Sequence, residues 1–246
     1  MHMPRKISLK QFLMKTGKFN KVFDCVSAIR KNRVTINNKK IINPNHYFNP
    51  KTALVKLDNE KIKSVDKLYF ILNKPSGYLS QKSENEKTIY NILENLKLSS
   101  EQQKSLFAVG RLDKETEGLI IITNDGNLSN IIMNPKNEII KKYYAVLKNP
   151  INKEKIKEME KGMELEIDYK KYKTKPCKIK IFAEKEIYIS ISEGKKRQIR
   201  KLFEAIGNKV VYLKRVSIGG LQLGDLKSGE LLEMKRNEIY KNPNLE

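Results

Sequence analysis

The chain has 246 residues, with 50 lysines and arginines against 28 acids and a formal charge of +22. That length can bury one core or two, and so self-repelling a balance suits a polyanionic partner, nucleic acid before any other. Two cysteines, Cys25 and Cys177, and two histidines, His2 and His46, are too few and too scattered for a disulfide framework or a zinc cluster.

The first fifty residues hold eleven Lys or Arg and one acid, Asp24, whereas acids are frequent from Asp58 on. This shift marks a boundary near "NEKIKSVD", with one domain over residues 1–62 and a second over 63–246. In the basic domain Ser8 caps a helix that brings Leu9, Phe12 and Leu13 to one face before Gly17 stops it. Asn20 caps a second helix with Val22, Val26 and Ile29 four and three apart. "RVTIN" and "KKIIN" flank Asn37 and Asn38, which tolerate positive φ, so a hairpin is expected. Lys18, Lys21, Arg30, Lys31 and Arg33 give this module a basic rim suited to RNA phosphates.

The second domain opens on "KLYFILNKPSGYLS", a buried strand over Leu68–Leu72 followed by a turn at Pro75, Ser76 and Gly77. Thr88 caps a helix with Ile89, Ile92, Leu93 and Leu96 inward. "LFAVG" and "LIIIT" are strands on either side of "GRLDKETEG", and a helix is expected over Leu128–Met133. "EIIKKYYAVL" is a strand and Lys153–Lys161 a charged helix. "CKIKIF" and "EIYISIS" alternate, with Ile179, Ile181, Ile187, Ile189 and Ile191 on one face. "RQIRKLFEAIG" is a helix with Ile199, Leu202, Phe203 and Ile206 inward, ended by Gly207, and "KVVYL" is a closing strand. Strands outnumber helices and several are closely joined, so the fold class is α+β on a large, mainly antiparallel sheet. No run of about eighteen apolar residues occurs, and the N-terminus lacks the apolar stretch of a signal peptide. A cytoplasmic monomer without a membrane partner is expected.

Asp113 follows one strand and precedes another, which puts a carboxylate at the edge of a sheet, facing a cleft. A lone carboxylate acts as nucleophile or base only when something holds it ionised and oriented. Arg197 and Arg200 are neighbours on one helix face, and a buried guanidinium beside Asp113 would do both. Tyr143 and Tyr144 point to opposite faces of their strand, so one packs in the core and the other faces the cleft, where an aromatic ring suits an unpaired base.

The order of helices and hairpin in the first domain, with "KNRVTINNKK", resembles the S4 RNA-binding domain, although Phe19, Asn20 and Lys21 stand where that family often carries paired arginines. "NKPSGYLS", "GRLDKETEGLIIITNDG", "KKYYAVL" and "EGKKRQIRKLFEAIGNKVVYLKRVSIGGLQLGDL" are similar in order and spacing to bacterial ribosomal-RNA pseudouridine synthases with an N-terminal S4 domain. The resemblance implies isomerisation of a uridine in ribosomal RNA, with Asp113 catalytic, Tyr144 stacking on the flipped base through a Lys-x-Tyr motif, and Arg200, or its neighbour Arg197, pairing with the aspartate. Asp113 would attack C1′ or remove the C2′ proton. Arg111, Lys195, Lys196, Arg197 and Lys201 would hold flanking phosphates, and neither cofactor nor metal is required. The competing readings are hydrolysis of a glycosidic bond, with Glu115 or Glu117 as second carboxylate, and a non-catalytic S4-type RNA-binding or ribosome-assembly protein.

Overall fold

The computed structural model describes residues 6–19 and 21–240. They form two compact units, one running to Leu68 and including Leu93–Phe107, the other made of Tyr69–Ile92 and of the chain from Ala108 on.

The first unit begins with β1 (Ile7–Ser8), α1 (Leu9–Met14) and α2 (Val22–Arg30). Ser8 and Gln11 form a reciprocal capping box at the start of α1, and Leu9, Phe12 and Leu13 are buried as their spacing demands. Gly17 ends the turn at φ 69°, where a Cβ would lie 1.9 Å from the Glu101 carbonyl oxygen. Asn20, the expected cap of the second helix, lies outside the described residues. That helix buries Cys25, Ala28 and Ile29, while Val22 is half exposed; the small side chains let α2 approach α1, and the Cys25 thiol reaches the Lys10 carbonyl. β2 (Val34–Ile36) turns through Asn37 and Asn38, at φ 49° and 66°, into β3 (Lys39–Lys40), the hairpin that two asparagines permit. β4 (Tyr47–Phe48) pairs with β1, and β5 (Val55–Leu57) pairs with β2 and with β6 (Glu60–Lys61). Phe12 and Phe48 meet edge-on at 5.4 Å in a core shared with Ile29, Val34 and Val55.

Then follow β7 (Tyr69–Lys74), α3 (Ile89–Leu93), α4 (Ser100–Ser105, in the first unit), β8 (Phe107–Val109), β9 (Glu117–Thr123) and α5 (Gly126–Met133). The chain continues through β10 (Lys141–Leu147), α6 (Lys153–Glu160), the hairpin β11 (Glu164–Ile167) and β12 (Lys170–Lys173), β13 (Lys178–Ala183) and β14 (Glu186–Ile191). It ends with α7 (Gln198–Ala205), β15 (Val210–Ile218), β16 (Leu221–Gln222), β17 (Leu231–Glu233) and α8 (Arg236–Tyr240). Among the described residues nine strands form one sheet in the order β13-β14-β10-β15-β9-β7-β17, with β16 beside β15 and β8 beside β9. The β15–β9 pair is parallel and the other pairs along that order are antiparallel, so the sheet is mixed and the class α+β.

β7 is buried at every position and β9 at all but its first. A strand covered on both faces carries no polar alternation, which accounts for the unbroken run Leu119–Thr123. In β10 and β14 the pattern does alternate: Tyr143, Ala145 and Leu147, like Ile187, Ile189 and Ile191, are buried, and the residues between them are not. Two expectations are corrected. "KVVYL" does not close the sheet but extends to Ile218 and lies in its middle as β15, its backbone paired with β10 on one side and β9 on the other. Ile181 is 37 % exposed, since β13 is the sheet edge and a register shift follows Ile181. No helix among the described residues is long and apolar enough to cross a membrane.

Candidate active site

Asp113 lies in the loop between β8 and β9, and both its neighbours are fastened by the stretch "NKPSGYLS". On one side the Ser80 hydroxyl donates to Leu112 O at 2.9 Å and accepts from Leu112 N at 3.0 Å. On the other the Lys114 carbonyl accepts from Gly77 N at 2.8 Å and from the Lys74 ammonium at 3.1 Å. Lys74 is wholly buried, and its ammonium also donates to Pro75 O at 2.8 Å and Tyr78 O at 2.7 Å. Three acceptors match three N–H donors. Burial nevertheless pushes its pKa down to about 8, against the pull of Glu117, Glu115 and Asp113. Gly118, at φ 106°, passes so close to β15 that a Cβ would lie 2.2 Å from Arg215 O, so glycine is required there for angle and for space.

Asp113 opens on a cavity of about 400 Å³ within the second unit. Its own hydrogen bond is through the backbone carbonyl, which accepts from Thr116 N at 3.0 Å, and the carboxylate is left for a ligand. Leu112, Ile191 and Leu213 supply apolar wall, and Lys141, Tyr143, Arg200 and Arg215 supply the rest of its character.

The tyrosine in this wall is Tyr143, 8 % exposed. Tyr144, expected to stack on the base, points to the opposite face of the sheet. There its hydroxyl donates to Glu186 Oε2 at 2.6 Å, and that bond pushes its pKa up to about 12. Parity decides between them: Tyr143 shares its side of β10 with Ala145 and Leu147. The Lys-x-Tyr spacing is met by Lys141 and Tyr143 as well as by Lys142 and Tyr144.

Arg200 is buried on the cavity side of α7. The bidentate pair expected with Asp113 is not formed: Nη1 donates to Val210 O at 2.9 Å, and the buried Nε has no acceptor. Burial, and then Arg197, lower the Arg200 pKa, while Glu115 and Asp113 act the other way. Arg197 pairs with Glu115 at 3.3 Å on the surface and takes a left-handed backbone, φ 52°, at the N-cap of α7. Two further cations were not singled out from the sequence. Arg215 is 3 % exposed; its Nε donates to Leu119 O at 2.7 Å and its Nη2 has no acceptor. Burial, with Arg215 adding to it, pushes the Lys141 ammonium down to about 8. Buried N–H groups without acceptors are costly, and beside a cavity they suit an anionic ligand such as a phosphodiester.

Of the residues expected to hold RNA, Arg111, Lys195, Lys196 and Arg197 border the cavity and are exposed. Lys195 lies over the Tyr172 ring at 4.5 Å, Lys196 pairs with Asp168 at 3.1 Å, and Lys201 is turned to Glu166 O. In the first unit Lys21 and Arg30 are exposed, Lys18 pairs with Glu101 at 3.0 Å, and Arg33 forms a two-point pair with Asp58. Exposed pairs of this kind contribute little stability.

The sequence model of the family described as RNA pseudouridylate synthase matches residues 68–205. The ribosomal large subunit pseudouridine synthase B of Bacillus subtilis (strain 168) is 34% identical, over 75% of this chain and 75% of its own length. The ribosomal small subunit pseudouridine synthase A of Escherichia coli (strain K12) is 32% identical, over 86% of this chain and 89% of its own. The crystal structure of a pseudouridylate synthase superposes with a TM-score of 0.68 at 29% identity, covering 96% of this chain and 99% of that one. Sequence and sheet topology agree, and the chain belongs to the RNA pseudouridylate synthase family of isomerases.

Proposed function

We propose that this synthase converts a uridine of ribosomal RNA to pseudouridine, with Asp113 as the catalytic carboxylate, Tyr143 packed on the uracil, and the buried Arg200 on the wall of the same cavity as the neighbouring cation. The position of Asp113 carries this reading: an unpaired carboxylate, its two neighbours clamped, at a cavity with one aromatic wall, two buried arginines and the partly buried Lys141. Ribosomal RNA is the substrate because relatives named for either ribosomal subunit match most of the chain.

The target nucleotide must leave its stack to enter the cavity. The C1′–N1 bond breaks, the uracil turns while held against Tyr143, a C1′–C5 bond forms, C5 gives up its proton and N1 takes one up, so no atom is gained or lost. The unspent N–H groups of Arg200 and Arg215, with the Lys141 ammonium, face the phosphodiester and the carboxylate. Arg111, Lys195 and Lys196 take phosphates to either side. The first unit, two helices and a hairpin with a basic rim, acts as an S4-like module that adds affinity.

Asp113→Asn tests the assignment, because it removes charge, nucleophilicity and basicity with almost no change of shape. Pseudouridine formation should fall by several orders of magnitude, at least about 4 kcal/mol of transition-state stabilisation, with fold and RNA affinity retained. A purified variant that keeps more than a few per cent of the wild-type rate would remove Asp113 from this role.

A further inference from the structure

On the sheet face turned away from the Asp113 cavity the outward positions of β10 and β14 are partly exposed, as are Tyr212 and Lys214 of β15, and β13 is exposed at nearly every residue. Cross-strand register places Lys180 opposite Tyr188, Tyr188 opposite Tyr144, and Tyr144 opposite Lys214. One row thus reads lysine, tyrosine, tyrosine, lysine across four strands. The two rings are 5.5 Å apart. Phe182, 65% exposed, stands 6.0 Å from Tyr188, and Tyr212 stands 6.1 Å from Tyr144 on the other side.

An open antiparallel face is ordinarily polar, so four clustered aromatic rings there call for an occupant. Charge selects it. The Lys142 ammonium already sits 4.7 Å from the Tyr188 ring centre, and Lys178 and Lys180 extend into solvent along the edge. The acids within the cluster are engaged by tyrosine hydroxyls: Glu186 accepts from Tyr144 at 2.6 Å, Glu117 from Tyr212 at 2.8 Å. Those bonds fix the ring planes, and the two carboxylates are outnumbered by Lys142, Lys178, Lys180 and Lys214. Ring faces that accept any base, interleaved with cations that accept phosphate, are what single-stranded nucleic acid requires. Three strand spacings make the row roughly 14 Å wide, enough for several bases stacked at about 3.4 Å.

We infer that this face is a second RNA site, a stacking platform for a single-stranded segment of the same RNA whose uridine occupies the cavity. It requires only that the chain acts on RNA and does not depend on the roles given to Asp113, Tyr143 or Arg200.

The test uses the full chain and a short fluorescein-labelled oligouridylate, read by anisotropy across a salt series, with Phe182→Ala combined with Lys180→Glu. Both side chains are exposed, and circular dichroism verifies the fold. The variant should bind at least tenfold more weakly, with a salt dependence shallower by about one counterion for each phosphate that the face no longer holds. A 4-thiouridine-containing oligonucleotide should crosslink to peptides of β13 or β14 as well as to the cavity. Affinity and salt slope within twofold of wild type, or crosslinks confined to the cavity, would overturn the proposal, and a face built for a protein partner would give that result. Pseudouridine formation by Asp113→Asn is a separate readout, so failure of the platform and failure of the catalytic assignment are told apart.

Discussion

Lys74→Met removes the ammonium that joins the Pro75–Tyr78 turn to the Asp113 loop while keeping most of the side-chain volume. Two opposing effects on stability follow. Three carbonyls, of Pro75, Tyr78 and Lys114, lose their donor, at about 1 kcal/mol or more each. Against this, a buried charge disappears whose confinement depresses its pKa from 10.5 to about 8, equivalent to about 3 kcal/mol. The terms are of similar size, so net stability should change by less than about 2 kcal/mol. Catalysis has no such compensation. Lys114 is adjacent to Asp113, and a displacement of about 1 Å at a reacting group costs on the order of a hundredfold. Thermal unfolding should therefore barely move while the single-turnover rate of pseudouridine formation at saturating RNA falls by about that factor. The native state binds the Lys74 proton less tightly than the unfolded chain does, so wild type should gain stability relative to the variant as pH rises from about 8 towards 10.5, with a flat difference below 8. A wild-type single-turnover rate in Lys74→Met, or a stability loss above about 5 kcal/mol, would refute the clasp.

Tyr143→Ala should slow the bound complex by at least about a hundredfold, whereas the loss in Tyr144→Ala should appear in RNA affinity; single-turnover rates at saturating RNA distinguish the two, and the opposite pattern would restore Tyr144 to the cavity. Gly118→Ala should destabilise by more than about 2 kcal/mol in urea, from left-handed backbone and a 2.2 Å approach to Arg215 O; an unchanged midpoint would show that the two strands separate freely. Glu186→Gln should bring the Tyr144 titration down from about 12 towards the ordinary tyrosine value, seen as one tyrosine ionising earlier in ultraviolet difference spectra. Arg215→Met should weaken RNA binding and lower its salt slope by about one, and an unchanged slope would mean that its free Nη2 does not meet phosphate.

Elements whose side chains repeat with a clear period were legible from sequence. Ser8 with Leu9, Phe12 and Leu13, the Asn37–Asn38 hairpin, and Ile199 with Leu202 and Phe203 all follow from local chemistry. The short helix Ser100–Ser105 was not, because "SEQQKS" has no apolar stripe and owes its start to the Ser99–Gln102 capping box. The placement of the Asp113 loop was legible because it lies between glycines ahead of a doubly buried strand. Adjacent Tyr143 and Tyr144 both satisfy strand propensity, and which of them lines the cavity becomes plain only when Ala145 and Leu147 are followed to the core. Lys74, Lys141 and Arg215 were hidden for another reason: in a chain with 50 basic residues, nothing local separates a buried cation from a solvated one.

The parallel junction of β15 with β9 gives the protein a late birth as an enzyme. Lys214 pairs with Glu117 and Arg215 with Gly118, and the Arg215 guanidinium grips Leu119 O from 96 residues away in sequence. The loop bearing Asp113 thus leaves the ribosome long before the strand that completes its cavity. Closing so long a loop is entropically expensive, and parallel pairing between distant strands forms slowly. Nascent chains ending before Ile218 should carry the first unit's basic rim yet hold no assembled cavity, able to touch RNA through charge while chemically silent until β15 slots between β10 and β9.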